Sequence, residues 1–212
     1  MAGDIITLVV STTQIPTRDT LRRIERIQVI TIAWMSVEAA LSLWAARKAR
    51  SPALAAFGGD SAVELASAAV VLWRFRTYRS ERAEQRAARV AGGLLFALAV
   101  YVVLASAMSL LGYSEPRVSY LGMAVLVAAA LIMPVLAKEK RRLSVLTGSA
   151  ALRADAAESA LCAYLPIIAL MGLAGHAIWH IAWADPVAAL AITPLILSEA
   201  REAMRGKSRS CC

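Results

Sequence analysis

Long apolar runs separated by short polar segments make up most of this chain. Runs of about 20 residues are long enough to cross a bilayer as α-helices, and the chain has six of them: 27–46, 53–73, 90–111, 118–137, 149–173 and 184–200. The connections are too short to hold a separate soluble domain. We therefore predict an all-α integral membrane protein, with six transmembrane helices in residues 21–205, a mobile N-terminal tail at 1–20 and a short tail at 206–212.

The charge distribution indicates the orientation in the membrane. The chain has 212 residues, of which 59% are hydrophobic and 18% charged, and a net charge of +8. If the N-terminus is cytoplasmic, the inner segments carry eighteen Lys and Arg and the outer loops carry four. Positive charge stays on the side that is not translocated, so both termini are predicted to be cytoplasmic and no nucleic-acid partner is needed. We expect the lipid environment to be the plasma (inner) membrane.

Five acidic residues lie away from the ends of the predicted spans, and no Lys or Arg lies at the middle of any span. They are Glu38, Asp60, Glu64, Asp155 and Glu158. Ionisable groups at that depth are costly and usually functional. The structural alternative is a set of protonated acids that bond to neighbours or cap helix ends, but five such acids favour a functional role.

Spacing groups these acids into a candidate cation site. Asp60 and Glu64 share one helical face, and Asp155, Glu158 and Cys162 share another. Spans 2 and 5 run in opposite directions, so facing pairs can bring four ligands together near the bilayer midplane. Carboxylates and a thiolate suit a tetrahedral site, and thiolate favours zinc over magnesium or calcium. The predicted metal ligands are therefore Asp60, Glu64, Glu158 and Cys162.

Three sequence strings resemble the membrane domain of the cation diffusion facilitator (cation efflux) family. The family pattern Ser-x8-His/Asp-x3-Asp in span 2 is similar to "SPALAAFGGDSAVE", which places Asp60 and Glu64 on the ligand positions. The span 5 pattern Arg-Ala-Asp-x-x-His-x3-Asp is similar to "LRADAAESALC", with Glu158 at the His position and Cys162 at the second Asp position. "ADPVAALAI", from Ala184, resembles the start of span 6.

This resemblance implies a transporter of divalent metal ions that works as a homodimer. The chain departs from the family in its Glu and Cys ligands, in a loop between spans 4 and 5 without His, and in its short length after span 6, where members commonly add a cytoplasmic domain. We expect Zn²⁺ efflux by alternating access with proton exchange, and no enzymatic activity. The alternative is a non-transporting assembly or regulatory protein of the same fold.

Other residues add narrower expectations. Pro166 is expected to kink span 5 and either to aim Cys162 or only to serve packing. His176 and His180, beside Trp179, are interpreted as part of an interfacial belt rather than a metal site. A small-residue face on span 3 (Gly92, Gly93, Ser106 and Ser109) is a candidate dimer contact, and the alternative is packing within one subunit. Asp155 is a possible second-shell acid or proton relay, and Glu38 is an extra ligand, a proton acceptor or a protonated group bonded to span 2.

Overall fold

The computed structural model describes residues 18–77, 81–147, 156, 159–160 and 162–205, and the regular elements in this part of the chain are all helices. They are α1 (Arg18–Ala49), α2 (Pro52–Thr77), α3 (Glu81–Leu110), α4 (Tyr120–Thr147), α5 (Leu165–Trp179) and α6 (Ala184–Arg205). The all-α prediction is confirmed.

Within the described ranges, three segments are long and apolar enough to cross a membrane on their own: Arg22–Ala49, Arg89–Leu110 and Tyr120–Leu146. The shorter α5 is also apolar. The protein is therefore an integral membrane helix bundle. Several helices extend beyond their apolar runs; α1 begins at Arg18, so residues 18–20 of the expected tail are already helical. The thickness of the membrane sets the length of the apolar segment only, so charged residues can continue the helix beyond it.

Helix α2 occupies the middle of the bundle. It packs against α1, α3, α5 and α6. Helix α4 packs against both α1 and α5, and α6 packs against both α5 and α3. Small buried side chains allow these close approaches, as is common between helices in membranes; they include Ala53, Ala56, Ala129 and Ala189. Large apolar side chains such as Leu104 and Leu131 face outward, where lipid would cover them.

The turn between α1 and α2 sets the start of the central helix. Arg50 has a left-handed φ of 52°, and the Ser51 amide donates to the Ala46 carbonyl at 3.1 Å, which closes α1 in the manner of a Schellman turn. Ser51 Oγ then accepts from the Leu54 amide at 3.1 Å and caps α2. The same hydroxyl donates to Asp185 Oδ1 at 2.7 Å. This contact holds the start of α6 beside the start of α2.

The predicted continuous span 149–173 is interrupted. Cys162 is helical, Ala163 and Tyr164 form a turn, and α5 starts at Leu165. Pro166 lies in the first turn of α5, where its missing N–H costs no hydrogen bond, whereas in a continuous helix its ring would clash with the Cys162 carbonyl. The expected kink is thus a short break directly after Cys162, and the helix continues to Trp179 rather than ending at residue 173.

The small-residue face of α3 packs partly inside the subunit. A Cβ added to Gly92 would lie 2.8 Å from the Ala200 carbonyl oxygen, so α3 and α6 approach closely there. Ser106 is also buried, whereas Gly93 faces open space. The assignment of this whole face to a dimer contact is therefore wrong at Gly92 and Ser106, which lie within the subunit's own packing.

Candidate metal centre

The structure brings three of the four predicted ligands together. Asp60 and Glu64 lie one turn apart on α2, and Cys162 approaches them from the segment before α5; their ligand atoms all lie within 4.8 Å of one another. The Cys162 thiol donates a hydrogen bond to Glu64 Oε1 at 2.6 Å. Asp60 and Cys162 are only 1% and 2% exposed. Glu158, the fourth predicted ligand, and Asp155 lie outside the described residues.

A third acidic side chain approaches the thiol, from a third segment of the chain. Glu199 of α6 has its Oε1 atom 3.9 Å from Cys162 Sγ. The sequence analysis does not include Glu199, which lies close to the charged residues Arg201 and Glu202 at the end of the last apolar run. The available signal was its position inside the apolar run 184–200, one residue before the end.

Glu38 lies beside this cluster, in contact with α2. Its side chain is fully buried, and Oε1 lies 2.6 Å from the Ser61 hydroxyl. Ser61 Oγ is also 3.1 Å from the Phe57 carbonyl. A hydroxyl has one hydrogen, so Ser61 shares it between Glu38 Oε1 and the Phe57 carbonyl, and the contact with Glu38 is the shorter. The Ser42 hydroxyl, in addition, donates to the Glu38 backbone carbonyl.

Lys140 is a buried cation that sequence reasoning placed in a polar inner segment. The side chain is 2% exposed, and Nζ donates to Ser159 Oγ at 3.0 Å. Ser159 lies three residues before Cys162, so this bond connects α4 to the segment that carries the thiol. Lysine carries three donor hydrogens and a long apolar stem, which suits a position between two buried segments.

Asp60, Glu64 and Cys162 form an acid–thiol cluster, and the two histidines lie away from it. His180 ends α5 with a left-handed φ of 54° and is exposed, and Trp179 and Trp183 are exposed nearby. The group of metal-ligand side chains found among the described residues contains neither histidine. This arrangement agrees with an aromatic belt at the membrane interface.

The acid–thiol cluster has the chemistry of a cation site. Carboxylate oxygens and a thiolate are metal ligands, and their mixture suits a borderline metal better than a purely oxygen-binding one. Several acids in one buried place repel each other when ionised, so a cation or protons must balance them. A bundle of membrane helices with such a cluster at its centre defines a class of proteins that handle cations within the membrane.

Comparison with known families gives the same answer. The family described as "Cation efflux transmembrane domain" matches residues 29–210, so this chain belongs to that family of cation transporters. The match covers the three sequence strings and all the helices that surround the acid–thiol cluster. No curated protein matches the chain.

Proposed function

We propose that this protein exports a divalent transition metal ion from the cytoplasm, with Zn²⁺ as the expected cargo, in exchange for protons. The observation that carries the proposal is the meeting of Asp60, Glu64 and Cys162, whose ligand atoms lie within 4.8 Å of one another in the centre of a cation efflux domain. Glu158, at the His position of the family pattern, is the proposed partner in the same site.

The ligand types support zinc as cargo. Cys162 supplies sulfur, which binds zinc and cadmium better than magnesium or manganese. Asp60 and Glu64 supply hard oxygen ligands, so the site retains affinity for manganese and iron as well. We therefore expect a preference among transition metals rather than strict selection of one.

Proton exchange follows from the state of the ligands. The Cys162 thiol proton occupies a hydrogen bond to Glu64 in the structure, and a bound metal ion must displace that proton. Metal affinity should therefore rise with pH, because protons compete for the same atoms. Glu38 is the proposed proton acceptor, since its buried side chain accepts from the hydroxyl of Ser61, the residue after Asp60, and Asp155 is the proposed second-shell acid or relay.

The proposal includes a topology and an assembly. The eighteen-to-four distribution of Lys and Arg supports cytoplasmic termini, the family resemblance supports a homodimer, and the plasma (inner) membrane is the proposed location. A single cysteine placed at position 3 or 208 of a Cys-free variant should resist an impermeant reagent in intact cells. Rapid labelling from outside would show that the proposed topology, and with it the proposed direction of transport, is wrong.

Transport can be measured with purified protein in sealed proteoliposomes. Zn²⁺, Cd²⁺, Mn²⁺, Fe²⁺ and Co²⁺ are supplied with and without a pH gradient, and Asp19→Asn, an exposed substitution of the same kind, serves as the control for Asp60→Asn. We expect a flux of Zn²⁺ and Cd²⁺ that is faster in the presence of a proton gradient. Asp60→Asn should abolish this flux, and Asp19→Asn should preserve it. Metal binding without flux would instead favour the non-transporting assembly or regulatory protein.

A further inference from the structure

The acid–thiol cluster contains side chains from α2 and from the segment before α5, and α6 also reaches it. Glu199 Oε1 lies 3.9 Å from Cys162 Sγ, on a helix that contacts α2, α3 and α5. The thiol thus has a carboxylate of α2 on one side, at 2.6 Å, and a carboxylate of α6 near it as well. The question is whether Glu199 only lies near the thiol or can share its metal ion.

The separation fits two ligands of one ion. With metal–sulfur and metal–oxygen distances of about 2.3 and 2.0 Å, tetrahedral ligand atoms lie about 3.5 Å apart. The 3.9 Å between Glu199 Oε1 and Cys162 Sγ is close to that value. Glu199 is not one of the three residues whose ligand atoms all lie within 4.8 Å of one another, so its side chain must move towards α2 to share an ion with Asp60 and Glu64.

The position of Glu199 along the bundle is also informative. The Ser51–Asp185 hydrogen bond places the starts of α2 and α6 side by side. At about 1.5 Å per residue, Asp60 and Glu64 lie about 12 and 18 Å along α2, and Glu199 lies about 22 Å along α6. Glu199 is therefore at the end of the cluster that faces away from the α1–α2 turn. It is only partly buried, whereas Asp60 is fully enclosed.

We propose that Glu199 is a ligand for the transported cation, contributed by α6 at the end of the site away from the α1–α2 turn. This rests on the proposed function. In the proposed topology that end faces the cytoplasm, so Glu199 is the first ligand that an arriving ion meets. Coordination by α2, α6 and the Cys162 segment then ties three parts of the bundle together when the ion is bound.

Calorimetry on the full chain in detergent, with Mn²⁺ and Cd²⁺ as probes, separates a ligand from a neighbour of the thiol. A direct oxygen ligand should matter at least as much for Mn²⁺, which prefers oxygen, as for Cd²⁺. We expect Glu199→Gln to weaken binding of both ions by about tenfold or more. Glu202→Gln, three residues further along α6, should leave both affinities unchanged. If Glu199→Gln weakens Cd²⁺ but spares Mn²⁺, as Cys162→Ser should, Glu199 acts only through the thiol and the proposal is wrong.

A second variant guards against a folding defect. Glu199→His keeps a metal-binding group, so it should bind Zn²⁺ more tightly than Glu199→Gln does, and equal weakening by both would contradict ligation. Asp60→Asn, measured beside them, keeps the two proposals apart. If Asp60→Asn abolishes binding while Glu199→Gln changes nothing, the metal site stands without Glu199. If neither substitution changes binding, the proposed function itself fails.

Discussion

Two buried carboxylates in this bundle are stabilised in different ways. Asp185 and Asp60 are both 1% exposed. Asp185 lies in the first turn of α6 and accepts from Ser51, the residue that caps α2, so its charge lies near the N-termini of two helices. Asp60 lies eight residues into α2, and the helix dipole acts only within the first turn.

The difference lies in what balances the negative charge. At Asp185 the Ser51 hydroxyl and the nearby helix N-termini supply part of the compensation, and the carboxylate connects two helices. At Asp60 the near neighbours are Glu64 and the Cys162 thiol, which add negative charge when they ionise. A buried acid at a helix start is therefore interpreted as structural, and a buried acid among other acids as a site that needs protons or a metal ion.

The strongest test of this comparison is Asp60→Asn. We expect it to abolish measurable Zn²⁺ binding, a loss larger than the roughly ten- to hundredfold effect typical of outer-shell residues, while the protein stays folded. The amide keeps the size of the side chain and removes only its charge. Calorimetry checks binding, and thermal unfolding in detergent checks the fold.

The structural interpretation of Asp60 gives the opposite result. Removing a buried charge that no ion requires should leave stability unchanged or raise it, with no change in metal affinity. Unchanged Zn²⁺ affinity in Asp60→Asn would therefore place Asp60 in the same class as Asp185.

Replacement of the thiol should change which metals bind. In Cys162→Ser, we expect Cd²⁺ and Zn²⁺ affinity to fall by about tenfold or more, and Mn²⁺ affinity to change much less, because sulfur prefers the softer metals. Cys162→Asp restores the usual family ligand and should retain transport. Competition binding with the three ions is the measurement. If Cys162→Ser binds Zn²⁺ and Cd²⁺ as tightly as the unmodified protein does, Cys162 is a packing residue and not a metal ligand.

Asp185 should affect stability without affecting the metal. Asp185→Ala leaves the buried Ser51 hydroxyl without its acceptor, which we expect to cost about 1 to 3 kcal/mol of unfolding free energy. Asp185→Asn keeps an acceptor oxygen and should cost less. Thermal unfolding of both variants, with Zn²⁺ titration beside it, makes the test. A loss of Zn²⁺ affinity in a folded Asp185→Asn would show that the two carboxylates are coupled.

An effect on stability no larger than that of Asp185→Ala is expected where α1 and α2 touch, two residues before Asp60 on α2. A Cβ at Gly58 would lie 2.8 Å from Ser42 Cβ and 3.0 Å from the Leu43 amide, so Gly58→Ala must push the helices apart. Such overpacking costs about 1 to 3 kcal/mol. Gly93 has open space around its Cβ position, and Gly93→Ala should leave stability unchanged or slightly higher. Equal unfolding temperatures for both variants would contradict the close α1–α2 contact.

The sequence by itself determined the class of fold and most of the candidate ligands. Long apolar runs predicted the helices because the bilayer allows few other spanning structures. The four-residue spacing of Asp60 and Glu64 placed both on one face, since that relation depends only on helix geometry. A distortion near Pro166 could also be predicted locally, because a proline ring clashes with the carbonyl four residues earlier in a helix. Only the structure shows that the break lies directly after Cys162.

Contacts between distant segments were decided only by the tertiary structure. Three contacts join residues that are far apart in the sequence: Glu199–Cys162 by 37 positions, Glu38–Ser61 by 23 and Ser51–Asp185 by 134. No local pattern encodes which helices become neighbours. Gly92 shows the same limit: its lack of a Cβ permits close packing, but only the bundle determines that α6 is the partner. Hydrophobic periodicity indicates that a helix is buried; the complementary shapes and charges of whole helices decide what it is buried against.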